Sequence, residues 1–193
     1  FKNYEGYPAT ACISINNEVI HGIPNKHRVI KAGDIVSIDL GAKFDGYNGD
    51  NAATFACGEI SEQAKRLIDT TRESLYKGIA AAVVGGRIGD IGHAVQQYAE
   101  ERGFSVVREF VGHGVGTELH ESPEVPNFGT PGRGIRLMPG MTIAIEPMIN
   151  AGKEKVKVMP DGWTVLTQDG SLSAHFEHTI AITPEGPQIL TLV

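Results

Sequence analysis

Lys31-Ala-Gly-Asp-Ile-Val-Ser-Ile-Asp39 and Met138-Pro-Gly-Met-Thr-Ile-Ala-Ile-Glu146 align without a gap at an offset of 107 residues. Each is a turn glycine, a run of apolar and β-branched residues, then an isoleucine followed by a carboxylate. Such runs favour strands, whereas Asp and Glu are depleted in strands and seldom buried without a partner. An acid at the same place in both copies therefore points to a duplication. It suggests two related half-domains that face each other and present acids to a shared centre.

Outward from these stretches the chain alternates strand and helix signals. Cys12-Ile-Ser-Ile-Asn-Asn-Glu-Val-Ile20 reads as a strand interrupted by a turn at Asn16-Asn17. The run to Leu40 reads as a buried strand, and Asp45-Gly46 as the turn of a hairpin that returns through Asp50 to Ala56. Residues 61–84 have helical periodicity, with Ser61 as cap and Ala64, Leu67, Ile68, Leu75 and Ile79 on one face, ended by Gly85-Gly86. Asp90 opens a second helix with Ile91, Val95 and Tyr98 inward, stopped near Gly103. Strands and turns follow, with hairpin signals at Asp161-Gly162 and Asp169-Gly170. The class is α+β with much antiparallel sheet.

Hydrophobic residues make up 41% of the 193 and charged residues 21%, which is globular composition. A net charge of −6 with no Lys/Arg cluster argues against nucleic acid or an anionic membrane as partner. No apolar run approaches the roughly 18 residues of a membrane span. Cys12 and Cys57 lie far apart and form no CxxC pair, a poor fit to structural zinc or a disulfide framework and a good fit to a reducing compartment such as the cytoplasm. Opening on Phe1 rather than Met, the chain reads as processed or as a piece of a longer one.

Asp39 and Asp50 flank the expected hairpin and should lie opposite each other across two strands. Glu146 follows Ile143-Ala-Ile145 and Glu177 follows Ala174-His-Phe176, so each acid has an apolar setting. Like charges that close require a cation between them or a retained proton. No Arg or Lys nearby in sequence can neutralise all four, so a divalent metal is the economical answer, although any one of them alone also fits a solvated strand-end acid. Oxygen ligands favour hard or borderline ions, and one imidazole shifts the preference towards Mn, Fe, Co or Zn. Four carboxylates exceed what one catalytic ion takes, whereas two ions bridged by two of them fit. Paired sites of that kind activate a water and polarise a carbonyl or phosphoryl oxygen.

Of the seven histidines, His27, His93, His175 and His178 read as structural or surface residues, with His175 on the same strand face as Glu177 and His178 on the other. His113 differs: glycines on both sides, in Val111-Gly-His-Gly-Val-Gly116, allow close backbone approach and leave the ring open to a ligand. His120 follows in the same segment, and His21 sits where a strand gives way to a turn. No HExxH helix, GxSxG elbow or Cys–His nucleophile pair is present, and Cys12 reads as small apolar lining.

Taken in order, Gly6-Tyr-Pro8, Ser14-Ile-Asn16, His21-Gly-Ile-Pro24, Gly33-Asp-Ile-Val-Ser-Ile-Asp39, Gly49-Asp50, Gly112-His-Gly-Val-Gly116, Leu119-His-Glu121, Pro139-Gly-Met-Thr142, Ile145-Glu-Pro-Met148, Asp161-Gly-Trp163 and Glu177-His-Thr179 closely resemble type I methionine aminopeptidase, a metallopeptidase of family M24 with the pita-bread fold. The resemblance runs through nearly the whole chain. It implies a single catalytic domain over residues 1–193, two pseudo-symmetric halves, and a curved antiparallel sheet backed by helices, without the helical segment that usually precedes Gly6 in the family. It also implies five metal ligands, Asp39, Asp50, His113, Glu146 and Glu177, around two divalent ions (Co, Mn, Fe, Zn or Ni), with Asp50 and Glu177 bridging. Glu146 would serve as proton acceptor, and His21 and His120 as non-ligand histidines that contact substrate. Tyr4, Tyr7, Cys12, Leu119, Trp163 and Phe176 resemble the methionine side-chain pocket. Glu146 and Glu177 are 31 positions apart, which leaves no room for the helical insertion of type II enzymes. The implied partner is the N-terminal methionine of nascent chains with a small second residue. A monomer in the cytoplasm is expected, with room for a transient ribosome contact and with no nucleic-acid substrate or membrane. Proline-directed aminopeptidases and dipeptidases share the five ligands and are the nearest alternative, and a non-catalytic peptide-binding module is the other.

Overall fold

The computed structural model describes residues 1–192. After a short 3-10 turn at Tyr4–Gly6, the strands β1 (Ala11–Ile15), β2 (Glu18–Ile20), β3 (Ile35–Phe44) and β4 (Tyr47–Ala56) lead to the helices α1 (Glu62–Ala81) and α2 (Ile88–Glu100). The remainder is strand and turn: β5 (Ser105–Val106), β6 (Gly112–Gly114), β7 (Glu121–Val125), β8 (Thr142–Ile145), β9 (Met148–Asn150), β10 (Val156–Val158), β11 (Val165–Thr167), β12 (Ser173–His175), β13 (Glu177–Thr183) and β14 (Gly186–Ile189).

Eight of these strands form one curled antiparallel sheet, in the order β1-β3-β4-β13-β8-β6-β7 with β14 added on β13. The repeated stretches fall on β3 and β8, which flank the central β4–β13 pair symmetrically. The duplication in the sequence is thus an arrangement in space, with each half carrying its acid towards the middle. Two small sheets, β10-β11-β2 and β12-β9-β5, complete the fold.

Helix α1 forms where its periodicity places it. Ser61 Oγ accepts from Ala64 N at 3.2 Å, satisfying one of the free N–H groups of the first turn. Ala64, Leu67, Ile68, Leu75 and Ile79 are all buried, in one cluster with Ile91 of α2 and Ile143, Ile145, Ile180 and Ile182 of the sheet. Each leucine or isoleucine among them taken from water contributes about 1.5–3 kcal/mol. This packing covers one face of the sheet and leaves the opposite face of β3, β4 and β13 to the acids. Asp45-Gly46, at φ 48° and 84°, makes the two-residue turn that joins β3 to β4, so Phe44 pairs with Tyr47.

Several local expectations need correction. Asp90 does not open α2: the helix starts at Ile88, and Asp90, three residues beyond the cap position Arg87, accepts the Arg87 N–H at 2.7 Å. Tyr98 is half-buried rather than inward, because Arg102 stacks 3.5 Å from its ring centroid and Ala99 takes the core position. Asp169-Gly170 is not a hairpin turn, since β11 and β12 belong to different sheets. The Asp169 carboxylate instead accepts from Lys153 N and Ser171 N, tying that crossing down. The turn at Asn16-Asn17 falls where the sequence places it, between β1 of the large sheet and β2 of a small one. The segment from β8 to β13 is strand and turn throughout, as the short Glu146–Glu177 spacing requires.

Candidate active site

Asp39 on β3 pairs with Ala52, and Asp50 on β4 with Gly41. The two aspartates are therefore diagonal neighbours on one face of the hairpin rather than directly opposed. Glu177, the first residue of β13, also pairs with Ala52, from the other side of β4. The main-chain ladder between β4 and β13 is short, and two threonine hydroxyls extend it at both ends. Thr179 Oγ1 accepts from Asp50 N at 2.8 Å and donates to Asp50 O at 2.9 Å. Thr54 Oγ1 does the same for His175 N and O, at 2.9 and 2.8 Å. Glu146 follows the end of β8, and the buried Asn127 donates to its carbonyl at 3.0 Å.

His113 lies in the middle of β6, pressed between β7 and β8. Its flanking glycines have a steric reason: a Cβ on Gly112 would stand 2.3 Å from Ala144 O, and one on Gly114 2.4 Å from Ser122 O. His113 Nδ1 is 2.9 Å from Gly114 O. A carbonyl can only accept, so Nδ1 carries the proton and Nε2 presents its lone pair, the tautomer that a metal ligand needs. Nε2 is 3.5 Å from Glu146 Oε1 and 4.0 Å from Asp50 Oδ2.

Asp50, His113 and Glu177 each bring a ligand atom to within 4.8 Å of the others. Burial raises all four carboxyls. Asp50 rises to about 7, with Glu146 as its second cause, and Glu146 also to about 7, partly drawn back by His113. Asp39 and Glu177 are held well above the usual carboxylate range by burial and then by Asp50 and Glu146. Asp39 Oδ1 is buried with no hydrogen-bond partner. Among the described residues, every Lys or Arg ion pair lies elsewhere. Carboxylates this close, buried and lacking a counter-charge make a cavity built for cations.

The acids form one wall of a cavity of about 180 Å³. The facing walls are Tyr7, Cys12, Ile20, Phe110 and Trp163, with His21, Tyr4 and His120 at the polar margin. Tyr7 is anchored by its hydroxyl, which donates to Gly22 O at 2.9 Å, and meets Trp163 edge-on at 5.1 Å between centroids. His21 takes φ 59°, a left-handed backbone that is strained for a residue with a Cβ. Its ring stands edge-on to Phe110 and Trp163, and burial lowers its proton affinity to about 4, so it is neutral. The His120 ring lies 4.1 Å from that of His113, and its Nδ1 is 2.6 Å from the Tyr4 hydroxyl. Burial pushes the Cys12 thiol up to about 12, with Asp39 as the next cause. It is therefore no thiolate, and it lines the wall as the sequence suggests.

Asp39, Asp50, His113, Glu146, Glu177, His21, His120, Tyr4, Tyr7, Cys12 and Trp163 all line this one cavity. Leu119 and Phe176 do not. Leu119 borders a neighbouring groove with Phe1 and Lys43, and Phe176 alternates to the helix side of the sheet and joins the core. Ile20, Phe110 and Val111 are wall residues missed from the sequence. Val111 had a signal, because two-residue alternation puts it on the same face as His113. His175 was read as structural or surface; it is almost fully buried, with Nε2 3.4 Å from Glu146 Oε2.

Residues 2–184 match Metallopeptidase family M24. A methionine aminopeptidase from Clostridium acetobutylicum is 59% identical over 192 residues, covering all of this chain and 77% of the relative. The crystal structure of methionine aminopeptidase from Thermotoga maritima superposes with a TM-score of 0.98 at 53% identity, over 100% of this chain and 78% of that one. A prolidase from Pyrococcus furiosus shares the fold less closely, with a TM-score of 0.74 and 26% identity over 96% of this chain and 49% of the other. The chain belongs to metallopeptidase family M24, on its methionine aminopeptidase branch.

Proposed function

We propose that this chain removes the N-terminal methionine from polypeptides whose second residue is small, and that Asp39, Asp50, His113, Glu146 and Glu177 hold two divalent ions for that purpose. The observation that carries this reading is the convergence of four buried carboxylates and one correctly tautomerised imidazole on a cavity whose other wall is apolar and aromatic. The orphaned Asp39 Oδ1 supports a ligand role for Asp39. When bound, divalent ions supply a water that loses its proton near neutral pH and a Lewis acid for the scissile carbonyl.

The protein's own residues do the rest. Glu146, whose Oε1 faces the cavity beside His113, accepts the proton of the attacking water and returns it to the leaving amine. His120 is anchored at Nδ1 by Tyr4 and presents Nε2 to the developing oxyanion or the scissile amide. His21, rigid and neutral, orients the substrate. Tyr7, Cys12, Ile20, Phe110 and Trp163 offer the methionine thioether an apolar, aromatic-walled slot, the setting in which its polarisable sulfur gains most. Nascent chains as substrate place the work in the cytoplasm, and the unpaired Cys12 and Cys57 suit its reducing conditions.

A competition assay tests the substrate. An equimolar mixture of Met-Ala-Ser, Leu-Ala-Ser and Ala-Pro-Ala is given to the metal-loaded protein, and the released amino acids are separated. Free methionine alone is expected. Alanine from the proline peptide would transfer the chain to the proline-directed branch of the family.

A further inference from the structure

We propose that His175 is a positioning residue whose ring N–H holds Glu146 Oε2 and thereby aims Glu146 Oε1 into the cavity, an inference that rests on the reading of Glu146 as proton acceptor and ligand. His175 is the last residue of β12 and is 2% exposed. It does not line the cavity, so any influence on the reaction passes through a neighbour. Its Nε2 lies 3.4 Å from Glu146 Oε2 and, among the described residues, has no completed hydrogen bond. A fully buried ring nitrogen without a partner is rare in a folded protein, and the carboxylate oxygen is close enough for a small rotation of either side chain to complete the bond.

The two oxygens of Glu146 are divided between two histidines. Oε1 faces His113 Nε2 at 3.5 Å within the cavity, and Oε2 faces His175 behind it. The supports of the His175 ring are fixed. Thr54 clamps the His175 backbone at both N and O, and His175 pairs with Met148, two residues after Glu146. Ring and carboxylate therefore hang from neighbouring, hydrogen-bonded segments. A carboxylate tethered at neither oxygen rotates about its terminal bond; one tethered at the rear presents its other oxygen in one direction.

His175→Leu removes the N–H while keeping an apolar side chain in the site, and His175→Gln keeps an N–H near the place of Nε2. In the leucine variant, cobalt(II) affinity by titration calorimetry and kcat on Met-Ala-Ser are expected to fall about 10–100-fold, the usual effect of losing a partner of a ligand. KM should hardly move, and the visible absorption of the cobalt-loaded protein should shift. The glutamine variant should recover affinity, spectrum and kcat together. If leucine is not tolerated in folding, His175→Asn, polar but too short to reach Oε2, takes its place. Unchanged cobalt affinity and spectrum in the leucine variant, or a glutamine variant as impaired as leucine, would overturn the assignment. Glu146→Gln, run alongside, separates the two levels. If it is inactive while His175→Leu is not, only the role of His175 fails; if it retains full activity, the reading of Glu146 fails first.

Discussion

Replacing Asp50 by Asn should make the metal-free protein more stable, by an amount that grows with pH. Asp50 is 3% exposed, and burial and the neighbouring Glu146 raise its carboxyl from 3.8 to about 7. Between those values the unfolded chain gives up the Asp50 proton while the folded chain keeps it, so stability is lost as pH rises through that window. At about 1.4 kcal/mol per pH unit, the ionised carboxylate costs the folded state about 4 kcal/mol by pH 7–8. An asparagine keeps the Oδ1 acceptor for Asn51 N and carries no charge. The parent's own pH profile mixes this effect with an opposing one. His21 and His175, lowered to about 4, each favour the folded state more as pH rises towards 6.5. Both proteins share those histidines, so their effect largely cancels in the difference, which adds to the Asp50 carboxylate the relief that Asp39 and Glu177 gain when its charge is removed. Urea unfolding in chelator at pH 4.5, 6 and 8 should show the variant only about 1 kcal/mol more stable at the lowest pH and about 2–4 kcal/mol more stable at the highest. A gap that is flat with pH, or a variant less stable at pH 8, would mean that the buried Asp50 carboxylate does not destabilise the metal-free fold. The same variant should lose metal binding and activity.

Other expectations follow from single contacts. His120→Ala should slow methionine release by roughly 10²–10³ while the metal content, measured by mass spectrometry, stays at the parent level. Thr179→Val strips the hydroxyl that both accepts from and donates to the Asp50 backbone, and leaving those buried groups unpaired should cost about 1–3 kcal/mol by urea unfolding; Thr179→Ser should restore it. Leu67→Ala, in the core under α1, should cost about 2–5 kcal/mol without altering metal affinity at permissive temperature.

Much of the site was legible in the sequence because its chemistry conflicts with its surroundings. Asp39 and Glu146, at the same place in two repeats, and His113 between glycines are each costly patterns without a ligand; Asp50 and Glu177 stood out only as acids on expected strands, the set of five followed from the family resemblance, and all five line one cavity. Helix α1 was equally plain, since its periodic face and Ser61 cap act locally. What could not be read depends on long-range packing. Phe176 resembles a pocket residue, yet alternation between His175 and Glu177 puts it on the helix side of the sheet, in the core. His175 looks ordinary, and only the approach of Glu146 from β8 gives it a neighbour to act on. Phe110 enters the cavity from a segment without regular structure, where no alternation marks a face. The crossing at Asp169-Gly170 resembles a hairpin because turn chemistry is the same whether the next strand pairs with the last or leaves for another sheet.

Stripping the protein with chelator and following methionine release from Met-Ala-Ser as cobalt(II) or manganese(II) is added back tests whether the buried acids are a hydrolytic metal centre for N-terminal methionine. No release is expected without metal, followed by a rise that saturates as the two proposed sites fill and is reversed by fresh chelator. Release that persists at full rate in the stripped protein, or none at any loading with either metal, would contradict it.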